Sequence, residues 1–198
     1  MSLFQEQRLK TGETILMISI ELFRKNGYEA TTIDEITKAV GIAKGTFYNF
    51  FGSKRDVLMK WAVQVFQKLD FRQSMISDRN FQQNMEAMLV LLEKYIIAEE
   101  GLFICFLKEL VKNQGSAEEK EQFDFGSIIS KIAENSADHN KITQHEKELK
   151  MDVLNDSLYM GMLRWFNKGN TAEGLQLYLK RIVELYLYGI IDNKEDKK

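Results

Sequence analysis

The sequence predicts an all-α protein, with a three-helix N-terminal domain over residues 1–52 joined by a shared helix to a larger helical domain over residues 53–198. Three observations carry this expectation. None of the 198 residues is proline, so no helix need lose a backbone donor or meet a ring clash. Apolar residues recur at three- and four-residue spacing through most of the chain, the period of an amphipathic helix. No window shows the strict alternation of a half-buried strand, and no internal repeat is visible.

Composition narrows the class. A hydrophobic content of 44% with 28% charged residues is that of a soluble globular protein. The formal net charge of −2 argues against a general polyanion binder, which carries a large basic excess. Residues 1–60 hold nine Lys/Arg against seven Asp/Glu, and the remainder holds 18 against 22. A nucleic-acid contact would therefore need a local patch doubled by dimerisation. Cys105 is alone, which excludes an intramolecular disulfide framework and a cysteine-based metal site. Set in Leu102-Phe103-Ile104-Cys105-Phe106-Leu107, it reads as a buried, inert thiol rather than a redox sensor. The N-terminus lacks the apolar stretch of a signal peptide, and no apolar run approaches the roughly 18 residues of a membrane span. The expectation is a cytoplasmic protein with no membrane partner.

The elements follow in order. Residues 1–7 read as a frayed lead. A first helix runs from Arg8 to Lys25 with Ile15, Leu16, Ile18, Leu22 and Phe23 on its apolar side, and Asn26-Gly27 ends it. Thr32 suits the N-cap of a second helix, because its hydroxyl can accept from a first-turn N–H while Glu35 reaches back to the Thr32 N–H. Ile33, Ile36 and Val40 give that helix one apolar face, and Gly41 follows where a left-handed residue stops it. Ala43 opens a third helix with Phe47 and Phe51 on its inner face, one turn apart. Ser53, with Asp56 three residues on, caps a fourth helix. That helix continues through Val57, Leu58, Trp61, Ala62, Val65, Phe66 and Leu69 to about Phe71, apolar over a wide arc as suits a helix shared between domains.

Residues 72–80 are a polar connection. Asn80 and Gln83 repeat the capping-box pattern before a helix from Phe81 to about Glu99, with Met85, Met88, Leu89, Leu92 and Ile96 inward. Glu99-Glu100-Gly101 breaks the chain before a short apolar helix from Leu102 to about Asn113. Another helix is expected from Phe125 to about Asn135, between polar stretches at 114–124 and 136–145. Two long amphipathic helices, 144–167 and 172–190, with Gly169-Asn170 at the turn and Thr171 as the second cap, form an antiparallel hairpin. The tail from Asp192 is charged and reads as disordered.

The outward residues of the third helix are Lys44, Gly45, Thr46, Tyr48 and Asn49. They form a short ridge of small residues, hydroxyls, one amide and one lysine. Such a ridge suits a DNA major groove, which accepts an α-helix and presents base edges and flanking phosphates. The alternative is a plain surface helix in a bundle, since short helix pairs are common.

The segment from Gly41 to Leu58, GIAKGTFYNFFGSKRDVL, resembles the DNA-binding signature of the TetR (TetR/AcrR) transcriptional regulators. The resemblance begins near Ile15, passes through Phe23, Gly27, Tyr28 and Thr31-Thr32, and covers about a quarter of the chain. Ala43 stands where Ser or Thr is frequent in that pattern, Asn49 where His is frequent and Phe50 where Tyr is frequent. The resemblance implies that Tyr48 meets phosphate and that Lys44 to Thr46 lie near bases, with Asn49 beside them. Lys54 is expected on phosphate from the start of the fourth helix, and Thr32 likewise at the start of its own. The remainder of the chain is then a variable ligand-binding and dimerisation domain.

The resulting expectation is a ligand-responsive repressor that binds a pseudo-palindromic double-stranded operator as a homodimer, its two reading heads ~34 Å apart, and is released by a small hydrophobic effector. The candidate pocket is Phe66, Leu69, Met88, Leu92, Phe103 and Phe106. The candidate dimer seam is Leu158, Gly161, Met162, Trp165, Leu179 and Tyr186, residues that could equally pack inside one subunit. The alternative is a helical small-molecule carrier or assembly protein without specific DNA binding. An enzyme is not expected. His139 and His145 are wrongly spaced for one helical face, and the His-Glu-x-x-His, Gly-x-Ser-x-Gly and phosphate-cradling glycine motifs are absent. No cofactor or metal is expected.

Overall fold

The structure, a computed structural model, describes residues 3–68, 76–112, 125–138 and 144–188. Every regular element among them is a helix: α1 (Leu3–Asn26), α2 (Ile33–Val40), α3 (Lys44–Tyr48), α4 (Lys54–Lys68), α5 (Phe81–Ala98), α6 (Glu100–Lys112), α7 (Phe125–Glu134), α8 (Gln144–Asn167) and α9 (Leu175–Tyr188). They belong to two compact units, Met1–Lys68 with Gly101–Gly115, and Leu69–Glu100 with Ser116–Lys198. The expected division after residue 52 is not where the packing separates. α4 lies wholly in the first unit, and most of α6 joins it there.

In the first unit, α1 packs on α2 and α4, and α2 packs on α3. Ile15, Leu16, Ile20 and Phe23 of α1 meet Ile36, Phe47, Val57 and Leu58 in one apolar core, all buried. α1 begins at Leu3, earlier than the expected frayed lead allows. Gly27, at φ +88°, ends it, and the Tyr28 ring then closes edge-on against Phe23 at 5.1 Å. Buried Thr31 donates its hydroxyl to the Gly27 carbonyl at 2.8 Å, which tightens the loop before α2. α6 supplies Leu102, Phe103, Phe106 and Leu107, all buried. The Phe106 ring lies 5.9 Å from both Phe66 and Phe103. Half-buried Arg55 of α4 faces Glu109 of α6 with Nε 3.6 Å from a carboxylate oxygen.

In the second unit, α5 packs on α9 and α7, and α8 packs on α9 and α7. The core is built from Met85, Met88, Leu89, Leu92 and Ile96 of α5, Ile129 and Ile132 of α7, and the inward stripes of α8 and α9. The Asn80–Gln83 capping box forms as expected. Fully buried Asn84 stitches α5 to the end of α7, donating to Ser136 Oγ and to the Ile76 carbonyl, each at 3.1 Å. α9 begins at Leu175, three residues later than expected. Gly174 sits at φ +84°, outside helical space, and the Ala172 N–H is given to the Glu100 carboxylate rather than to a helix turn.

Candidate nucleic-acid interface

α2 and α3 are placed by local chemistry. Thr32 Oγ accepts from the Glu35 N–H at 3.2 Å, and Glu35 Oε2 accepts from the Thr32 N–H at 2.8 Å. The Thr32 hydroxyl also donates to Glu35 Oε2 at 2.9 Å. These hydrogen bonds, the backbone one foremost, hold the Glu35 carboxyl below its ordinary range. The N–H and hydroxyl of Thr32 are thus both spent on the cap, where the sequence points to a phosphate contact. Gly41 closes α2 at φ +79°, its N–H returning to the Thr37 carbonyl at 2.9 Å. α3 follows after two residues. Phe47 anchors it, fully buried, with Phe51 6.0 Å away and half-buried.

With the inner face anchored, Lys44, Gly45, Tyr48 and Asn49 are exposed and Thr46 is half-exposed. Tyr48 stands edge-on to Phe47 at 5.7 Å, which fixes its ring while half its surface stays in solvent. A Cβ added at Gly45 would meet nothing within 4 Å, so no packing inside the chain asks for glycine there. Lys44 pairs with Asp34 of α2 at 2.7 Å, and the hydrogen bond and charge of Asp34 raise the lysine's pKa. Both partners are largely in water, where such pairs contribute little and exchange readily.

Lys54 behaves differently from its neighbours. Its ammonium donates to the carbonyls of Tyr28 at 2.7 Å, Glu29 at 3.0 Å and Thr31 at 3.3 Å. It also lies 4.6 Å from the centroid of the Tyr28 ring. This side chain clamps the α1–α2 loop to the first turn of α4, where the sequence points to a phosphate contact. The structural partners of Lys54 lie 23 to 26 residues away, and no local pattern announces them.

The candidate pocket residues divide between the units. Phe66, Phe103 and Phe106 form one aromatic cluster in the first, Met88 and Leu92 are core residues of the second, and Leu69 lies outside the described residues. Among the dimer candidates, Leu158, Met162 and Leu179 are buried within the single chain. Gly161 is the contact point of α8 on α9, where an added Cβ would collide with Ile182. Trp165 is half-buried, stacks on Tyr178 at 5.1 Å and donates to the Thr171 carbonyl. Tyr186 is half-buried too. The outward apolar residues of this hairpin include Val153 and Met160 of α8 with Leu177, Leu185 and Tyr188 of α9, each about half exposed or more. His139 lies outside the described residues and nothing of the His145 side chain is described. No helix among the described residues is long and apolar enough to cross a membrane.

A short helix seated by one buried phenylalanine and showing solvent small, hydroxyl, amide and amine groups has the form that a DNA major groove accepts, and its sequence is that of a DNA-binding transcriptional regulator. Residues 15–59 match the model of the bacterial regulatory proteins of the tetR family. It is 51% identical over 47 residues to the HTH-type transcriptional regulator YerO of Bacillus subtilis, a match spanning 24% of this chain and 16% of that protein. It is 22% identical over 183 residues to the HTH-type transcriptional repressor KstR of Rhodococcus jostii, covering 92% of this chain and 84% of that one. Among solved structures, the fold resembles Thermus thermophilus FadR, a TetR-family transcriptional repressor in complex with lauroyl-CoA. That likeness has a TM-score of 0.79 at 24% identity and covers 94% of this chain and 98% of FadR.

Proposed function

We propose that the protein is a repressor that holds a pseudo-palindromic operator as a homodimer and releases it when a small apolar effector binds. Lys44, Gly45, Thr46, Tyr48 and Asn49 are assigned to the major groove and its flanking phosphates. The observation that carries this reading is the outward ridge of α3, exposed on a rigid, capped support. Thr32 and Lys54 are assigned to holding that support, because their polar groups already have partners inside the chain. The second copy mates through the outer face of α8 and α9, led by Val153, Met160, Leu177 and Leu185. The place of action is the cytoplasm, where operator DNA is met.

Acyl-CoA is the first effector class to test, because the similar FadR is a repressor that holds lauroyl-CoA. The effector acts only through a difference in affinity between operator-competent and released states, and a coupling of roughly 1–3 kcal/mol changes operator affinity about 5–150-fold. The experiment selects a duplex from a random-sequence pool with the purified protein, then titrates it in a gel shift with and without acyl-CoAs of graded chain length. Preference for a pseudo-palindrome, weakened by one chain-length range, is the expected result. Equal affinity for every duplex would end the reading, and a selected operator indifferent to acyl-CoA would end the effector class alone.

A further inference from the structure

Beside α3 lies a groove that runs from the outward ridge onto α1. Its walls are Gln7, Arg8 and Thr11 of α1, and Thr46, Asn49 and Phe50 at and after α3. Its volume is about 560 Å³. Two of its residues, Thr46 and Asn49, belong to the ridge assigned to DNA, so the groove continues that surface sideways onto α1. The α1 wall precedes Ile15, outside the segment that carries the family likeness.

The chemistry of the lining is one-sided. Arg8 is the single charged side chain in it, and the others present two amides, two hydroxyls and a ring. The acids nearest in sequence do not line it: Glu6 is paired with Lys10 at 3.3 Å, and Glu13 is exposed. Arg8 lies with its guanidinium carbon 5.8 Å from the centroid of the Phe50 ring. Gly12 brings α1 close to that ring, since an added Cβ would stand 3.2 Å from Phe50 Cδ1. An aromatic surface beside a guanidinium restricts its rotation and leaves the planar fork of N–H donors for an anion. Phe50 has no hydroxyl of its own, so the charge at this place comes from Arg8, with Gln7, Thr11, Thr46 and Asn49 as neutral polar neighbours. A concave strip with one held cation, several neutral donors and no carboxylate fits a sugar–phosphate backbone, whose charge is regular and whose recognition is independent of sequence.

We propose that this groove seats the operator backbone beside the major groove entered by α3, with Arg8 on a phosphate and Phe50 as its platform. The proposal rests on the DNA-binding reading above and adds a contact to it. The test measures binding of the full-length chain to two probes, the selected operator and a random-sequence duplex of equal length, across a series of salt concentrations. Each phosphate neutralised contributes about 0.9 to the slope of log affinity against log salt, so Arg8→Gln should lower a dimer's slope by about 1.8. It should weaken both probes by the same factor, with the thermal midpoint little changed. Arg8→Lys keeps the charge and should keep most of the slope. In a Phe50→Leu background, Arg8→Gln should cost less than in the parent, as two residues acting on one contact do. An unchanged slope in Arg8→Gln, with operator preference intact, overturns the groove contact and leaves the DNA reading standing. A changed base preference in Arg8→Gln would also overturn it, because a backbone seat carries no base readout. Absence of operator preference in the unaltered chain would instead overturn the reading beneath it.

Discussion

Lys54 and Tyr28 meet twice: the lysine ammonium donates to the tyrosine's own carbonyl at 2.7 Å and lies 4.6 Å from the centre of its ring. The first contact satisfies a carbonyl just past the end of α1, and the second shields the charge that does so. With Glu29 and Thr31 also contributing carbonyls, one side chain at the start of α4 fixes the loop that launches α2. Replacing Lys54 with Met retains the stem and removes the donors, leaving part-buried acceptors unpaired. The expected loss is about 1–3 kcal/mol of stability, read from urea unfolding. A midpoint that does not move would show that the clamp carries no weight.

Lys44, which the proposal places against DNA, is already paired with Asp34. DNA must take the lysine from that carboxylate and also bring phosphate near a negative charge. Asp34→Asn should therefore tighten binding to any duplex and steepen its salt dependence, whereas Lys44→Ala should weaken operator binding by about 1–3 kcal/mol. Anisotropy titrations at two salt concentrations read both effects. Weaker binding by Asp34→Asn would reverse the sign and sink the argument.

Gly45 separates packing from recognition. Its Cβ position is open on the protein side, so Gly45→Ala should leave the fold as stable, or up to about 1 kcal/mol more stable, since alanine is the better helix former. A methyl group on the ridge should nevertheless hinder close approach to base edges. The expected outcome is an unchanged or raised thermal midpoint together with weaker operator binding. Full affinity would mean that this point of α3 does not come close to DNA.

Alkaline pH should loosen the first unit. Burial, then the nearby charge of Glu109, pushes the Tyr28 hydroxyl far above its ordinary pKa. Burial also raises the Cys105 thiol. Both groups are neutral when protonated, and folding opposes their ionisation. Below the unfolded pKa values, both states keep these protons and the stability is fully present. Above about pH 9 the unfolded chain releases them first, so stability falls as pH rises. Urea unfolding at pH 7.5 and pH 10 should show the decline, smaller in Cys105→Ser. The same shift predicts slow alkylation of Cys105 at neutral pH.

The α8–α9 hairpin separates residues that hold the subunit from residues that face outward. Met160→Glu with Leu185→Glu should produce folded monomers in light scattering, because both side chains are about half exposed. Leu158→Ala should instead cost about 2–5 kcal/mol of stability, since Leu158 is buried inside the chain. A charged pair that leaves the mass of a dimer would move the seam elsewhere.

These contrasts mark what can be read from residues in a row. The Thr32–Glu35 and Asn80–Gln83 caps, the left-handed Gly41 and the buried Phe47 were all legible, because each depends on neighbours within four positions. The ridge of α3 was legible for the same reason: once Phe47 is inside, helical geometry decides what faces out. The partners of Lys54 inside the chain were not legible, because its acceptors come from a loop more than twenty residues earlier. Spacing marks Gly161 as a place where a helix can come close but does not say whose, and Ile182 of the same chain lies there. The start of α9 was missed because Thr171 resembles a cap, while Gly174 at φ +84° postpones the helix. Arg8 is, in sequence, a lone arginine on an exposed helix face, and it acquires meaning only when Phe50 arrives beside it.

The first unit is threaded by the chain twice, out after Lys68 and back at Gly101. A fragment ending at residue 68 would carry every residue assigned to DNA, yet it would strip Phe66 of Phe106 and Arg55 of Glu109. Grafting this reading head onto another regulator therefore calls for two cuts rather than one, with α6 transplanted alongside its partners. A single crossover between relatives would join a head to a foreign α6 and ask mismatched aromatic rings to fit. Heads and effector domains of such chains can be shuffled freely only where that second strand of the graft travels too.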